Sequence, residues 1–262
     1  MYFQLLFIPN LVRLNLPRMG LRATIPREIG SVSKLTHLNL FRNFLYGELP
    51  FSLTNLTQLV KLHISFNEMS CPIPLELGNM KSLVELYISA NYFNGLIPST
   101  LGLLTSLTYL DLHSNQIKGT IPSEIYNLKN LMTLHLGSNN LSGPISSKIG
   151  KLKNLVSLHL SHNLLIGPLP HTLGCLTKLT HLFLHSNQIN GSINPIIGDL
   201  KVLILLDLSR NKISGMIPNK LTQLTQLQHL SLAFNKLSGG LPHDIKNLLN
   251  LSVLNLTQSM KC

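Results

Sequence analysis

The stretch Leu107–Asn130, LTYLDLHSNQIKGTIPSEIYNLKN, decides how this chain folds. Its first nine residues follow the pattern LxxLxLxxN, in which leucines alternate with other residues before a single asparagine. This alternation has a period of two, which places Leu110 and Leu112 on one face of a short strand and Asp111 on the other. The stretch therefore predicts a strand with one buried and one exposed face.

The same pattern recurs along the chain every 24 residues. Nine asparagines define its register: Asn43, Asn67, Asn91, Asn115, Asn139, Asn163, Asn187, Asn211 and Asn235. Positions are counted from this asparagine; leucine stands at −8 and −5, and leucine or isoleucine at −3. We expect a single domain, residues 1–262. Within it, residues 1–10 are the tail of an upstream repeat, 11–250 form ten full repeats and 251–262 form a partial repeat.

A repeat of this length predicts a stacked, elongated fold. One unit cannot bury its own leucine face, so neighbouring units must cover it. Asparagine carries donors and an acceptor, and at an inner turn it can satisfy backbone groups that stacking removes from water. Most repeats then carry glycine at +4 and proline at +7, as at Gly119 and Pro122. These residues suit a turn, and the apolar residues at +10 and +13 suit one short helical turn.

The unit resembles the plant-specific leucine-rich repeat, LxxLxLxxNxLxGxIPxxLGxLxx, which Leu107–Asn130 matches almost position for position. The resemblance covers almost the whole chain. It implies an α/β solenoid, a leucine-rich-repeat horseshoe or superhelix. A parallel β-sheet would line its concave face and short 3-10 or α turns its convex side. The chain is also similar to part of the ectodomain of leucine-rich-repeat receptor-like kinases, which carry a Ser/Thr kinase in a separate domain.

That resemblance implies a protein- or peptide-binding module in signalling or defence. The expected place is the extracellular face of the plasma membrane or the cell wall space, and a co-receptor kinase is an implied partner. Receptor-like proteins without kinases and secreted polygalacturonase-inhibiting proteins share the unit. A secreted inhibitor of that kind and a non-functional gene fragment therefore stay open as alternatives.

The candidate binding site is the concave face, where positions −6, −4, −2 and −1 are expected to be exposed. Nine of the eleven histidines occupy these positions, and a core of leucine and isoleucine does not account for them. Aromatic residues and arginine are common interface anchors. We predict ligand contacts from Tyr87, Tyr109, Asp111, His113, His135, His159, His181, Phe183, His185, Asp207 and Arg210. The alternative is that exposed strand positions tolerate any polar residue.

The formal net charge of +11 favours an acidic ligand. Histidine titrates near pH ~6.5, so we expect acidic ligands to bind more tightly at lower pH. Nucleic acid is not an expected partner, because the chain has no dense lysine and arginine run and no nucleic-acid motif.

No catalytic motif such as a P-loop, a nucleophile elbow or HExxH is present, so neither an enzyme nor a cofactor is expected. A zinc site at Asp111, His135 and His159 is disfavoured, since a straight row spreads its ligands apart. Cys71, Cys175 and Cys262 lie more than three repeats apart, so we expect no internal disulfide.

Four sequons are glycosylation candidates in a secreted protein, Asn55, Asn140, Asn190 and Asn250, whereas Asn255 falls on the concave face. No apolar stretch approaches the ~18 residues of a membrane span. The start, MYFQLLFIPN, lacks the basic region and cleavage site of a signal peptide. Leu5 and Ile8 instead fit positions +10 and +13 of an upstream repeat. Our hypothesis is a fragment of a longer receptor.

Overall fold

A computed structural model describes residue 8 and residues 10–259, which belong to two compact units, Met1–Leu131 and Met132–Cys262. Each unit is a stack of the 24-residue repeats. The predicted leucine-rich-repeat solenoid class is confirmed by its parallel strands and 3-10 helices. The single-domain interpretation stays a prediction.

Each repeat begins with a three-residue strand at positions −6 to −4, here called a face strand. Those of the first unit are Arg13–Asn15, His37–Asn39, Lys61–His63, Glu85–Tyr87 and Tyr109–Asp111. Those of the second are Thr133–His135, Ser157–His159, His181–Phe183, Leu205–Asp207, His229–Ser231 and Val253–Asn255. They pair in parallel with equivalent residues opposite each other, such as Leu62 and Leu86. The strands thus place equivalent side chains in columns.

A second row of short parallel strands follows the asparagine, which the sequence did not predict. In the first unit these strands are Tyr46–Gly47, Glu68–Pro72, Tyr92–Asn94 and Lys118–Gly119. In the second they are Asn140–Pro144, Leu164–Pro168, Gln188–Asn190, Ser214–Gly215 and Lys236–Leu237.

Each full repeat then forms a five-residue 3-10 helix at positions +8 to +12. The helices of the first unit are Arg27–Ser31, Phe51–Asn55, Leu75–Asn79, Ser99–Leu103 and Ser123–Asn127. Those of the second are Ser147–Lys151, His171–Cys175, Pro195–Asp199, Asn219–Gln223 and His243–Asn247. A proline precedes most of them, and elsewhere the side chain of Ser146 or Asn194 caps the helix.

Successive helices pack so closely that some helix positions accept only a small residue. A Cβ built on Gly102 would lie 2.4 Å from the carbonyl oxygen of Glu124 in the next helix. A Cβ on Gly78 would lie equally near the carbonyl oxygen of Thr100. These glycines set the helix-to-helix spacing.

The repeat asparagines bind backbone groups of neighbouring repeats. Asn91, 6% exposed, accepts a hydrogen bond from the Met69 N–H at 3.0 Å. Its amide donates to the carbonyls of Ile64, Ile88 and Ser89 at 3.1–3.2 Å. Equivalent bonds recur at other repeats, for example at Asn163. Buried backbone groups between repeats are satisfied in this way.

The residue at position −1 of each repeat adopts a left-handed backbone conformation, including Arg18 and Gln258, which precede Met19 and Ser259. Its φ lies between 50° and 59° at Arg18, Arg42, Phe66, Ala90, Ser114, Ser138, His162, Ser186, Arg210, Phe234 and Gln258. None of these is glycine, so the stack imposes a conformation that such residues ordinarily avoid. Position +4 is also left-handed and usually glycine, but Cys71 occupies it with φ 72°.

Candidate functional site

The solvent face of the first unit carries a continuous row of aromatic rings, here called the aromatic row: Phe41, His63, Tyr87 and Tyr109. Successive ring centroids lie 4.8, 4.8 and 4.5 Å apart. Arg18 lies 5.8 Å from the centre of the Phe41 ring and extends the row. Rings at such spacing support one another and lose little freedom on binding, which makes them suitable ligand anchors.

An ion pair supports the middle of the aromatic row. Lys61 Nζ lies 2.6 Å from Glu85 Oε2 and 4.9 Å from the centre of the Tyr87 ring. Burial opposes ionisation of Glu85, but hydrogen bonds from Lys61 and Tyr87 outweigh it and lower the pKa of that carboxyl. Burial and the neighbouring Glu85 carboxylate raise the pKa of Tyr87, so its phenol stays neutral at physiological pH.

Asp111 was expected to be exposed, and that expectation is wrong: the residue is 6% exposed. Its carboxylate accepts hydrogen bonds from Ser89 Oγ at 3.0 Å and from the backbone N–H of His113 at 3.2 Å. His113 Nδ1 lies 2.6 Å from the same carboxylate. This hydrogen bond raises the pKa of His113 despite its partial burial. Asp111 therefore orients His113 from below the surface and favours its protonated form.

The solvent face of the second unit brings predicted histidines and Phe183 together. The ring centroid of His159 lies 5.6 Å from that of His135, 5.0 Å from that of Phe183 and 6.5 Å from that of His185. The rings of His181 and Phe183 are stacked, with their centroids 6.3 Å apart. All five side chains are partly exposed. Burial, followed by the charges of His162 and Arg210, lowers the pKa of His185 against the influence of Asp207.

Two predicted residues lie toward the far end of that face. Asp207 is partly exposed and accepts a hydrogen bond from the Ser209 N–H. Arg210 is exposed, and its guanidinium carbon lies 4.4 Å from the centre of the Phe234 ring. The expected exposure of position −2 is wrong at Ser161, which is fully buried and whose Oγ is hydrogen-bonded to the His159 ring.

Four residues that line the first unit's face were not among the predicted contacts: Phe41, His63, Lys61 and Glu85. His63 belongs to the same −4 column as Tyr87, so the column alone could have indicated it. Burial and the Lys61 charge lower the pKa of His63. Phe41 lies at −2 of the preceding repeat, and its contact with His63 runs obliquely across strands.

The other predicted features are placed as follows. Asn55, Asn140, Asn190, Asn250 and Asn255 are all exposed. Cys71 and Cys175 are free thiols, whereas Leu5 and Cys262 lie outside the described residues. Within residues 8 and 10–259, no cluster of three His, Cys, Asp or Glu side chains could hold a metal ion. In that same part of the chain, no helix has the length and apolar character to cross a membrane.

Solved structures of plant receptors share this fold. The plant peptide hormone receptor RGFR1, in complex with RGF2, has 38% identity and a TM-score of 0.92 over 95% of this chain and 40% of that chain. The Arabidopsis receptor kinase HAESA, in complex with the peptide hormone IDA and the co-receptor SERK1, has 32% identity and a TM-score of 0.86, covering 94% and 46%.

The GASSHO1/SCHENGEN3 ectodomain from Arabidopsis thaliana, in complex with CASPARIAN STRIP INTEGRITY FACTOR 2, has 32% identity and a TM-score of 0.82. There the match covers 98% of this chain and 34% of that chain. The chain therefore spans less than half of each of these three structures.

A comparison with curated proteins gives no match. Two family models do match, both described as leucine-rich repeat. One covers residues 129–189 and 196–237, and the other covers residues 34–56, 82–104 and 106–128. Together these segments cover more than half of the sequence, and this chain, which resembles part of a plant receptor-kinase ectodomain, belongs to the leucine-rich-repeat family.

Proposed function

We propose that this chain is part of the extracellular region of a plant cell-surface receptor and binds a peptide along the solvent face of its face strands. The observation that carries the proposal is the aromatic row, whose rings are already packed against one another before any ligand arrives. RGFR1 and HAESA, which share the fold, are described in complex with peptide hormones.

Charge on the same face favours an acidic peptide. The two carboxylates beside the aromatic row are already engaged, Glu85 by Lys61 and Asp111 by His113. Arg13, Arg18 and Arg42 are exposed on this face. Arginine can bind a carboxylate with two parallel hydrogen bonds, so acidic side chains of an extended peptide would be recognised there.

The histidines make that preference depend on pH. His113 has a raised pKa and takes up its proton first as pH falls, whereas His63 and His185 have lowered pKa values and stay neutral longer. Affinity for an acidic peptide should therefore rise from pH 7.5 to pH 5 in steps. Equal affinity at the two pH values would contradict this part of the proposal.

Further elements of the proposal follow from the receptor family. A co-receptor kinase is the expected protein partner, since HAESA is described with SERK1. N-linked glycans are proposed at Asn55, Asn140, Asn190 and Asn250, all exposed. The Asn250 amide donates to the Thr225 carbonyl at 2.8 Å, and a glycan there would replace one of its two amide hydrogens and leave one N–H for this bond.

The experiment selects binders from a library of random peptides of about 12 residues, which cover roughly 40 Å when extended. Affinities of the selected peptides are then measured by calorimetry for the wild type, Tyr87→Ala and the matched control Tyr92→Ala. Tyr92 is 52% exposed but lies on the second row of strands.

The expected result is enrichment of acidic residues and an affinity loss of more than about tenfold for Tyr87→Ala, as truncation of an anchor gives. The control should bind like the wild type. Equal losses for both variants, or none for Tyr87→Ala, would refute binding along the aromatic row.

A further inference from the structure

A separate basic surface lies in the second unit, on its 3-10 helices and the turns that follow them. Five exposed lysines from three consecutive repeats form it, and we call them the turn-side lysines: Lys148, Lys151, Lys153, Lys178 and Lys201. None of them belongs to a face strand. This surface is therefore distinct from the proposed peptide site.

Hydrogen bonds hold several of these ammonium groups in place. Lys153 Nζ donates to the Cys175 carbonyl of the next helix at 3.3 Å. Lys178 Nζ donates to Asn154 Oδ1, next to Lys153, at 2.8 Å. Lys201 Nζ donates to the Gly198 carbonyl at 2.7 Å. An ammonium has three N–H donors, so each group keeps donor capacity for a ligand while its position is ordered.

Two of the lysines stand on one helix at a spacing where like charges repel. Lys148 and Lys151 stand three residues apart in the 3-10 helix Ser147–Lys151, where such side chains eclipse. Like charges so placed destabilise a helix. Among the ten helices described, this is the one with like charges at these two positions. The pair therefore works against stability unless an anion lies between or above the two groups.

Nearby carboxylates do not neutralise the surface. The described acidic residues of the second unit are Asp199, Asp207 and Asp244. Asp199 pairs with Lys220 at 2.6 Å, Asp244 lies beside His243 at 3.1 Å, and Asp207 belongs to a face strand. In the described part of this unit, none of the three carboxylates forms an ion pair with a turn-side lysine, so the surface stays basic.

The repeat itself does not require this charge. The helices of the first unit are built on the same scaffold and carry both signs: Arg27, Glu28, Glu76 and Glu124, with Lys34, Lys81 and Lys129 on the following turns. The same positions in the second unit carry lysine in place of glutamate at Lys148 and Lys220. The basic surface is therefore a property of this unit's sequence.

We propose that the turn-side lysines bind an acidic polysaccharide, a linear polymer with regularly spaced carboxylates. Protein interfaces are depleted in lysine and enriched in Tyr, Trp and Phe, whereas this surface concentrates lysine over three consecutive repeats. Binding to single-stranded nucleic acid would need aromatic side chains for base stacking. Successive repeats advance by ~4.8 Å, so lysines from consecutive repeats form a row that a linear chain can follow.

The test uses polygalacturonate as the probe and its methyl-esterified form as an uncharged control. The test variant is Lys148→Gln/Lys151→Gln/Lys153→Gln/Lys178→Gln. The matched control, Lys81→Gln/Lys118→Gln/Lys212→Gln/Lys236→Gln, removes the same net charge outside the turn-side lysines: Lys81 from a turn of the first unit, the others from the second row of strands or just before it. Binding is measured by calorimetry at two salt concentrations, and circular dichroism compares the folds.

We expect the wild type to bind polygalacturonate but not its ester, with affinity falling as salt rises. The test variant should lose about tenfold in affinity, since each exposed charge contributes little alone, and the control should change less than about twofold. Equal losses in both variants would overturn the proposal. Tighter binding to polyglutamate or to anionic lipid vesicles, lost in the test variant, would also overturn it, in favour of an acidic protein or a membrane.

Discussion

Replacing Asn91 with alanine tests how the repeat asparagines stabilise the stack. The side chain makes four hydrogen bonds, so a simple count at about 1 kcal/mol each predicts a loss of about 4 kcal/mol. The structure predicts less, because the three carbonyls keep other donors. Asn67 still donates to the Ile64 carbonyl, Asn115 to the Ile88 carbonyl and the Phe66 N–H to the Ser89 carbonyl.

Only the Met69 N–H then loses its acceptor, and an unsatisfied buried donor costs about 1–3 kcal/mol. We therefore expect Asn91→Ala to lower the free energy of unfolding by about 2 kcal/mol. Equilibrium unfolding in urea measures this change. Asn79→Ala, at an exposed helix end, is the matched control and should change stability by less than about 0.5 kcal/mol.

A double-mutant cycle sharpens the test. In the double variant Asn67→Ala/Asn91→Ala the Ile64 carbonyl loses both of its side-chain amide donors. The double variant should therefore lose about 1 kcal/mol more unfolding free energy than the sum of the two single variants. Asn43 and Asn91 share no carbonyl acceptor, and their double variant should be additive. A loss near 4 kcal/mol for the single variant, or strict additivity for the neighbouring pair, would refute the reasoning.

Three further expectations concern the backbone and one histidine. Cys71→Gly should raise the free energy of unfolding by up to about 1 kcal/mol, because glycine tolerates φ 72°. Thermal unfolding measures this gain, which the control Cys71→Ala should not show. Gly102→Ala should lower the free energy of unfolding in urea by about 2 kcal/mol, because its Cβ would lie 2.4 Å from a backbone carbonyl oxygen. The control Gly240→Ala, whose Cβ would enter open space, should lower it by less than about 1 kcal/mol. His113 has a raised pKa in the folded state, so its extra stability is fully present below its unfolded pKa of ~6.5 and is lost as pH rises through the folded pKa. Urea titrations at several pH values should therefore show the wild type's advantage over His113→Gln shrinking as pH rises above about 6.5; a constant difference would contradict it.

The repeat pattern was sufficient to predict the face strands and the 3-10 helices. Leucines at −5 and −3 place a strand, and a residue such as Pro122 at +7 marks the start of a helix, so the amino-acid sequence alone locates both elements. The second row of strands was missed because its residues show no steady alternation. Its strands exist only through pairing with the neighbouring repeat, as Glu68 pairs with Tyr46.

The site was less predictable, because its decisive contacts join residues from different repeats. The burial of Asp111 depends on Ser89, 22 residues earlier in the chain, and on the bond to His113. The oblique contact between Phe41 and His63 likewise joins positions −2 and −4 of successive repeats. Each repeat position taken alone predicts which side chains lie on the solvent face, but it does not predict which of those side chains contact one another.

The left-handed residue before each asparagine has a consequence for how such proteins diversify. The conformation costs about 1–2 kcal/mol for an ordinary side chain, and none of the eleven residues that adopt it here is β-branched. Arg18, Phe66, His162 and Arg210 all occupy it. Because the neighbouring repeats enforce the backbone, side chains as different as Arg18, Phe66 and His162 stand at this position while the architecture stays the same. A strained position of the repeat is thereby also the one where the chemistry of the solvent face varies from repeat to repeat.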